Sequence, residues 1–412
     1  MPAVKKKILF VVMDGLGDRG CKVLGGMTPL QATPTPNLDW FAENGSSGMM
    51  DIIAPGVRPG SDTAHLSLLG YDPYEVYTGR GPFEAAGVGM TVMPGDVAFR
   101  CNFSTVDENY EVTDRRAGRI KAPETTELAK AVSGMKINGV EILVKEGTEH
   151  RAALLLRGKK LNPDITDADP HDIGPVAVST GKNKKGEFTA SIINEFVRRS
   201  YEIMKDHPVN LERRERGLPE ANILLPRGAG SFPKIKPFTD KNAISGACVA
   251  GVAMINGICG ICGLDIIGLP RECAGNIDTD MIKKADVVLE TLKEYDFVLM
   301  NIKAPDISGH DGKAEQKCEV VGRLDEMVGH LRKNMPENLV IVFTADHCTS
   351  SDVGDHTGDP VPVTIYTEAI VKDEATEFSE SGCAKGSIGR IRGYDLLPIC
   401  IDLANRSEKF GA

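Results

Sequence analysis

Aspartate and histidine residues that could bind metal ions follow three apolar runs of the chain. They are Asp14, Asp306, His310, Asp346, His347 and His356. Asp306 and His310 form a D-x-x-x-H pattern, whose side chains converge on one point if the segment is helical or tightly looped. Taken singly, each aspartate could equally cap a helix, and each histidine could be an ordinary surface or core residue. Together, a mixed Asp and His set suits borderline divalent ions such as Mn²⁺ or Zn²⁺.

A hydroxyl group that could act with such ions is presented by the stretch "RPGSDTAHLSLLGYDP". Two interpretations of Ser61 in this stretch are open. Ser61 could cap a helix, because Ser, Asp and Thr side chains accept hydrogen bonds from the free N–H groups of a first turn. It could instead be a nucleophile, because two adjacent metal ions can clamp the attacking and leaving oxygens of a phosphoryl transfer and activate a nearby serine.

These residues need a scaffold that brings the ends of several strands together. Three continuous apolar runs are typical of buried parallel strands: "KKILFVVMDG", "YDFVLMNIKAPD" and "ENLVIVFTADH". Helical patterns over 279–295 and 314–334 lie between and beside them. This alternation predicts an α/β fold with a doubly wound, mostly parallel sheet. In such sheets, ligands bind beyond the carboxyl ends of the strands, where the candidate metal ligands fall.

The middle of the chain differs from both ends. Its candidate strands are shorter, its polar loops are longer, and 190–206 has the pattern of an amphipathic helix. With 412 residues, the chain is long enough for two domains. We therefore predict a discontinuous catalytic domain, 1–94 and 241–412, and an inserted smaller α/β (α+β) domain at 95–240.

Composition restricts the partners. The net charge is −10, and no basic stripe is dense enough to follow a nucleic-acid backbone. No stretch approaches a membrane-spanning length, and the first apolar run is too short for a signal peptide. The ten cysteines are scattered through the chain, which predicts free thiols in a cytoplasmic protein.

Four of these cysteines have a spacing that deserves a separate interpretation: Cys248, Cys259, Cys262 and Cys273. A four-thiolate zinc site is one possibility. The alternative is packing, because "ISGACVAGVAMINGICGICGLDIIG" has the pattern of a small-residue helix that leads into a strand. We favour packing.

The order of the candidate residues resembles the alkaline phosphatase superfamily. Within it, the chain is most similar to the archaeal-type cofactor-independent (2,3-bisphosphoglycerate-independent) phosphoglycerate mutases. The resemblance runs nearly end to end, through "MDGLGD", "GSDTAHLSLLGYDPYEVYTGRGPFEAAGVGM", "GDVAFRCNFSTVD", "DRRAGRI" and "ADHCTSSDVGDHTGDPVPVTIY". It implies an alkaline-phosphatase-like core and the interconversion of 3-phosphoglycerate and 2-phosphoglycerate through a phosphoserine.

The resemblance also implies roles for particular residues. Ser61 becomes phosphorylated. Two divalent ions are bound, with Mn²⁺ expected first and Zn²⁺, Co²⁺ or Mg²⁺ as alternatives. One ion is held by Asp14, Ser61, Asp346 and His347, and the other by Asp306, His310 and His356.

Substrate binding requires cationic groups, because a phosphoglycerate carries a phosphate and a carboxylate that suit bidentate arginine. The candidates are Arg115, Arg116, Arg119, His150, Arg151, Arg227 and Lys303. The transfer also needs a proton acceptor. Asp114 and the Asp169–His171 pair are both candidates, and the sequence does not distinguish them.

Other functions remain open at this point. A phosphopentose mutase or a metal-dependent phosphohydrolase would share the same core, and the admission of water would favour the hydrolase. A metal-binding or scaffold protein without activity would leave the Ser61 segment unexplained. The expected partner is a small-molecule substrate, and a homo-oligomer is compatible with the sequence.

Overall fold

The computed structural model describes residues 4–409 and 411, so the extreme ends of the predicted catalytic domain lie outside the described residues. In chain order the strands are β1 (Lys7–Met13), β2 (Ser46–Asp51), β3 (Val97–Val106), β4 (Glu111–Asp114), β5 (Lys136–Ile137), β6 (Val140–Glu146), β7 (Arg151–Arg157), β8 (Gly174–Pro175), β9 (Ile223–Ser231), β10 (Gly246–Ala250), β11 (Asp265–Ile266), β12 (Phe297–Ile302), β13 (Leu339–Thr344), β14 (Cys348–Ser350), β15 (Asp355–Thr357), β16 (Val361–Tyr366) and β17 (Gly389–Arg392).

The α-helices are α1 (Pro29–Ala32), α2 (Pro36–Asn44), α3 (Ser61–Leu68), α4 (Pro73–Val76), α5 (Gly81–Gly87), α6 (Glu124–Val132), α7 (Glu187–Met204), α8 (Pro208–Glu215), α9 (Phe238–Asn242), α10 (Ala253–Ile261), α11 (Met281–Glu294), α12 (Ala304–His310), α13 (Ala314–Asn334), α14 (Glu380–Cys383) and α15 (Gly393–Leu403). None of the described helices combines the length and the apolar character needed to cross a bilayer.

The chain divides into two compact units. The first unit contains the described residues up to Val76 and those from Ile235 onward, and the second unit is Tyr77–Lys234. The sequence-based division placed 77–94 in the catalytic domain, whereas the structure groups this segment with the second unit. The physical reason is that α5 packs directly on β3, β7 and β9. A Cβ atom at Gly81 would lie only 1.9 Å from the carbonyl oxygen of Ala98, so only glycine allows this approach.

The first unit is built on an eight-stranded sheet with the order β11-β10-β12-β1-β13-β16-β2-β17. Strand β16 is antiparallel to both of its neighbours, and the remaining pairs are parallel. Strands β12 and β13 are buried along their whole length, so both faces of the sheet are covered. One group of helices packs around α13 and another around α3. The predicted doubly wound, mostly parallel α/β sheet is confirmed.

The parallel centre of this sheet brings the candidate ligands to one edge. Strand β1 pairs with β12 through Met13 and Ile302, and with β13 through Val12 and Thr344. Because the strands run in the same direction and in this register, the residues that follow them emerge side by side. The continuous apolar runs therefore position Asp14 beside the segments that follow β12 and β13.

The second unit has an antiparallel sheet. Its path is β5-β6-β7-β3-β4-β8, and β9 pairs with the other edge of β3. Helices α6 and α7 pack against this sheet, on β6 and β9 respectively, and enclose a separate apolar core. The inserted unit is therefore of the α+β type.

The longer helical patterns were predicted well. Helices α7, α11 and α13 occupy the segments predicted at 190–206, 279–295 and 314–334. The segment that begins at Gly246 differs from the prediction of one helix followed by a strand. It contains β10, then α10, then β11. The many small residues of this segment give no clear helical periodicity. The sequence therefore did not reveal that a strand precedes the helix.

Candidate active site

Two groups of side chains that could hold metal ions lie at the carboxyl ends of β1, β12 and β13. One group is Asp14, Asp346 and His347, and the other is Asp306, His347 and His356. Within each group, one ligand atom from every residue lies within 4.8 Å of the others. His347 belongs to both groups, whereas the sequence-based assignment placed it only in the set with Asp14, Ser61 and Asp346.

His310 joins the second group at its exposed side. Helix α12 carries both Asp306 and His310, and the Nε2 atom of His310 lies 3.4 Å from Oδ1 of Asp306. The same Nε2 atom lies 3.2 Å from Nε2 of His356. The D-x-x-x-H pattern thus converges as its spacing indicated, although the assignment of these residues to one ion stays a prediction.

A short hairpin of β14 and β15 brings His356 to the site. Thr349 pairs with His356 in this hairpin, and the rings of His347 and His356 stack with their centroids 3.6 Å apart. The Nε2 atom of His356 lies 3.4 Å from Oδ1 of Asp306. The hairpin therefore places His356 beside the candidate ligands that follow β12 and β13.

Ser61 is the first residue of α3, and its side chain does not cap that helix. The N-cap position is occupied by Gly60, whose N–H donates to the Thr63 hydroxyl. The Oγ atom of Ser61 is buried and lies 3.1 Å from Nε2 of His347. The capping interpretation of Ser61 is wrong, and its hydroxyl faces the two groups of candidate ligands.

The charges of the site are those of a buried cluster that would accept cations. Nζ of Lys303 lies 2.8 Å from Asp14 and 2.7 Å from Asp306, and so bridges the two groups. Burial and the nearby Asp14 carboxylate raise the pKa of Asp346 well above its ordinary value. Burial lowers the pKa of His347 well below its ordinary value, so the ring is neutral, as a metal ligand must be.

One carboxylate oxygen of the site also indicates that cations could bind there. The Oδ2 atom of Asp346 is buried and has no hydrogen-bond partner. Buried carboxylate oxygens are normally paired or bound to a metal ion. The donor set of carboxylates, imidazoles and one hydroxyl therefore fits divalent cations of the Mn²⁺ or Zn²⁺ type.

The second unit contains a separate cluster of arginines. Arg100 is largely buried, and burial together with the charges of Arg151, Arg80 and Arg227 lowers its pKa to about 9. Glu84 is the acidic neighbour that opposes this effect, at 3.8 Å from Arg100 and 2.8 Å from Arg80. Arg227 also faces Asp169 at 3.6 Å, but the guanidinium groups of the cluster outnumber these carboxylates, so the cluster has an excess of positive charge.

His150 and Arg116 border this cluster. Burial and the charges of Arg151 and Arg116 lower the pKa of His150 to about 4. Nδ1 of His150 and Nε of Arg100 are buried and have no hydrogen-bond partners among the described residues. The unsatisfied guanidinium donor of Arg100, among excess positive charge, is suited to an anionic ligand. Arg119, by contrast, is exposed, and no side-chain bond joins it to the cluster within the described residues.

Asp169 and His171 are held by their neighbours. The buried Asp169 carboxylate accepts from Arg115 at 3.2 Å, from the Asn102 amide at 3.2 Å and from the backbone of His171 at 2.9 Å. His171 uses both ring nitrogens, with Asp167 at 2.9 Å and Arg227 at 3.3 Å. Asp169 therefore orients arginine side chains, while both nitrogens of His171 are already engaged.

The chain is similar to known proteins along nearly its whole length. Residues 42–210 match the family model described as 2,3-bisphosphoglycerate-independent phosphoglycerate mutase. A relative of that name from Methanopyrus kandleri is 51% identical over 420 residues, which cover 99% of each chain. The chain belongs to this mutase family.

Solved structures agree with the assignment to the mutase family. A Pyrococcus horikoshii protein is 38% identical, with a TM-score of 0.88 and full coverage of both chains. The cofactor-independent phosphoglycerate mutase of Thermoplasma acidophilum is also 38% identical, with a TM-score of 0.74 over 97% of this chain and 100% of that one.

Sequence reasoning missed three residues that support the site of this mutase. His65 donates from Nδ1 to the Ser61 carbonyl at 2.8 Å, and its Nε2 lies 3.3 Å from the amide nitrogen of Asn301. The same amide nitrogen donates to Asp14 at 3.0 Å. Thr349 contacts both Asp306 and His347. His65 could have been predicted from the sequence, because it lies one helical turn after Ser61. Asn301 and Thr349 carried no comparable signal.

The four cysteines whose spacing suggested a zinc site are buried in the first unit. All ten cysteines of the chain are free, and neither candidate metal group in the described chain contains a thiol. The Cys248 thiol donates to Oδ1 of Asn256 at 3.9 Å, and the neighbouring Cys259 thiol together with burial raises the pKa of Cys248 well above its ordinary value. Packing stays the favoured prediction for Cys248, Cys259, Cys262 and Cys273, all of which are buried.

Proposed function

We propose that the chain interconverts 3-phosphoglycerate and 2-phosphoglycerate without bisphosphoglycerate, through a phosphoserine at Ser61. The observation that carries this proposal is the position of the Ser61 hydroxyl, 3.1 Å from the one imidazole that both candidate metal groups share. Membership of the mutase family supports the reaction class. The relatives do not favour a phosphopentose mutase or a phosphohydrolase.

Two divalent ions belong to this proposal. We assign Asp14, Ser61, Asp346 and His347 to one ion, and Asp306, His310 and His356 to the other, with Mn²⁺ as the first choice of metal. When bound, such ions stabilise the charge of the attacking and leaving oxygens of a phosphoryl transfer. The clustering of three buried carboxylates around one lysine supports the assignment, because it leaves negative charge to be neutralised.

Ser61 accepts and returns the phosphoryl group. In the first step its Oγ–P bond forms as the O–P bond of the substrate breaks; the hydroxyl of Ser61 loses a proton and the leaving oxygen of glycerate takes one up. In the second step the other hydroxyl of glycerate attacks the phosphoserine and loses its proton, the Oγ–P bond breaks, and Ser61 regains a proton. Helix α3 fixes the position of Oγ, and the buried surroundings keep it away from bulk solvent.

The arginine cluster of the second unit binds the anionic groups of phosphoglycerate in this proposal. Arg151, Arg116 and His150 are the groups least engaged with acidic residues, and Arg115 and Arg227 are oriented by Asp169. We propose Asp114 as the proton acceptor, because its carboxylate is partly exposed, whereas the Asp169 carboxylate is buried among its donors. Asp114 accepts from the backbone N–H groups of Arg116 and Gly118, both at 2.8 Å, and remains partly exposed.

Three further expectations from the sequence concern the whole protein. The action of the second unit as a lid, the cytoplasmic location and the formation of a homo-oligomer stay predictions. Within the described residues, Arg119 has no side-chain contact that supports a role in binding, and Lys303 faces the carboxylates of the metal groups.

A coupled assay tests the proposed function. The protein is supplied with 3-phosphoglycerate and Mn²⁺, without bisphosphoglycerate, and enolase reports the 2-phosphoglycerate that forms. We expect turnover that a chelator abolishes and Mn²⁺ restores. Clear activity on ribose phosphates together with no activity on 3-phosphoglycerate would overturn the proposal.

A further inference from the structure

Thr349 is a buried residue whose hydroxyl contacts one member of each candidate metal group. Its Oγ1 atom donates a hydrogen bond to Oδ1 of Asp306 at 2.6 Å and lies 3.1 Å from Nδ1 of His347. Its backbone pairs with His356 in the β14–β15 hairpin. A single side chain therefore contacts two candidate ligands, while its backbone pairs with a third.

The protons of this chain of contacts can be assigned. A threonine hydroxyl has one hydrogen, and at Thr349 that hydrogen is donated to Asp306. The contact with His347 is then a hydrogen bond only if Nδ1 of His347 carries the ring proton. In a neutral imidazole the other nitrogen, Nε2, then has a free lone pair. That Nε2 atom faces Ser61 at 3.1 Å and Asp346 at 3.3 Å.

Close packing holds the hydroxyl in this position. A Cβ atom at Gly15 would lie 2.5 Å from Oγ1 of Thr349, and one at Gly309 would lie 2.7 Å from its Cγ2. The buried Lys317, which pairs with Asp18 at 3.0 Å, donates to the Thr349 carbonyl at 2.8 Å. Both the side chain and the backbone of Thr349 are thus closely packed, which favours the hydroxyl position that contacts Asp306 and His347.

We propose that Thr349 is a positioning residue that keeps the ring proton of His347 on Nδ1, so that the Nε2 lone pair is directed at the metal-binding position beside Ser61. The same hydroxyl orients Asp306 and so connects the two ligand groups. The inference rests on the proposed function for its catalytic meaning. Groups that fix the tautomer and orientation of a ligand histidine commonly change metal affinity by tenfold or more when removed.

The experiment compares Thr349→Val with Thr349→Ser. Valine keeps the shape of threonine and removes the hydroxyl, whereas serine keeps the hydroxyl. Thr364→Val is the matched control, because Thr364 is an equally buried threonine of the same unit that contacts Ser47 and Cys383. Two readouts are made on the full chain: the tautomer of His347 in the metal-free protein, by ¹⁵N NMR of histidine-labelled samples, and Mn²⁺ affinity, by calorimetry.

In the wild-type chain, Thr349→Ser and Thr364→Val, we expect His347 to carry its proton on Nδ1. In Thr349→Val the Nδ1–H group has no acceptor, because Asp306 is 4.0 Å away, whereas Nε2–H could donate to Asp346. The proton should therefore move to Nε2, and Mn²⁺ affinity should fall about tenfold to hundredfold. Recovery in Thr349→Ser would support the hydroxyl as the cause.

An unchanged tautomer or an unchanged Mn²⁺ affinity in Thr349→Val would overturn the inference, as would an equal loss of affinity in Thr364→Val. These outcomes are distinct from a failure of the proposed function. If the wild-type chain bound no Mn²⁺ or had no mutase activity, the proposed function would fail, and the tautomer would still decide the role of Thr349.

Discussion

The hydroxyl of Ser61 lies where it can act on a substrate, because the capping of α3 is performed by other groups. Gly60 and Thr63 exchange the hydrogen bonds of the first turn, and Ser61 turns its Oγ atom toward His347. Removal of this oxygen should therefore change chemistry more than folding.

We expect Ser61→Ala to lower mutase turnover by on the order of a thousandfold or more, because a covalent nucleophile has no substitute. The thermal unfolding midpoint should change little. Ser67→Ala is the control, since Ser67 is a buried serine of the same helix that donates to the Ile52 carbonyl. The enolase-coupled assay and thermal unfolding measure both variants, and one tenth of wild-type activity in Ser61→Ala would exclude the nucleophile role.

His150 reports on the charge of the arginine cluster. Burial and the charges of Arg151 and Arg116 lower its pKa to about 4 in the folded chain, against an ordinary value of about 6.5. The unfolded chain therefore binds the proton first as the pH falls. His150 contributes stability that is present above about pH 6.5 and is lost as the pH falls toward about 4.

A bound phosphoglycerate should raise the pKa of His150, because its negative charges offset those of the neighbouring arginines. NMR titration of the His150 ring with and without 3-phosphoglycerate measures this change. The ring of His207, which accepts from Val209 at the start of α8, serves as the internal control. A His150 pKa that does not respond to saturating substrate would place the substrate anions elsewhere.

At the scale of elements, α12 and the β14–β15 hairpin together build the second ligand group. Helix α12 supplies Asp306 and His310, and the hairpin supplies His356. Because the three ligand atoms lie 3.2–3.4 Å apart, an ion bound by one should contact all three.

We expect His310→Ala and His356→Ala each to weaken the same Mn²⁺ site and to leave the other site occupied. Calorimetric titration of the metal-free protein should show the same binding step weakened in both variants. His330→Ala is a suitable control, because His330 lies on α13 and pairs with Asp286. Loss of two different binding steps in the two variants would separate His310 from His356.

These elements differ in how far the sequence could predict them. The D-x-x-x-H spacing is local, so a helix was enough to bring Asp306 and His310 together. The apolar runs before Asp14 and Asp346 likewise indicated parallel strands whose ends meet. The contacts of Thr349 depend on the pairing of β14 with β15 and on the close approach of Gly15 and Gly309, which are non-local. Threonine is also too common in strands for its type alone to mark a site.

At the scale of the whole chain, positive charge is clustered in one region although the protein as a whole is acidic. The net charge is −10, yet Arg80, Arg151 and Arg227 lie close enough to Arg100 for their charges to lower its pKa. The sequence indicated this cluster through "DRRAGR" and Arg151 but not through Arg80 or Arg100, because each of these is an isolated arginine. Their association follows from the packing of α5 on β3, which also moves the boundary of the second unit to Tyr77.

This division of charge separates what a phosphatase needs from what a mutase needs. In the proposed mechanism the ligand groups and Ser61 break the phosphate ester, but a mutase must also retain the glycerate while Ser61 carries the phosphoryl group. We assign that retention to the arginine cluster. We expect Arg151→Ala to reduce 2-phosphoglycerate formation more than phosphoserine formation, so that hydrolysis to free phosphate gains relative to mutase turnover.

The expected size follows from the strength of an arginine–anion contact. Loss of about 1.4 to 3 kcal/mol of binding would speed the release of glycerate by about tenfold to hundredfold. The stranded phosphoserine would then react with water and release phosphate. Arg119→Ala is the matched control, because Arg119 is an exposed arginine of the same unit with no side-chain bond to the cluster in the described chain. Free phosphate and 2-phosphoglycerate are measured together in one reaction, and an equal ratio of the two products in Arg151→Ala, Arg119→Ala and the wild-type chain would show that Arg151 does not retain the glycerate.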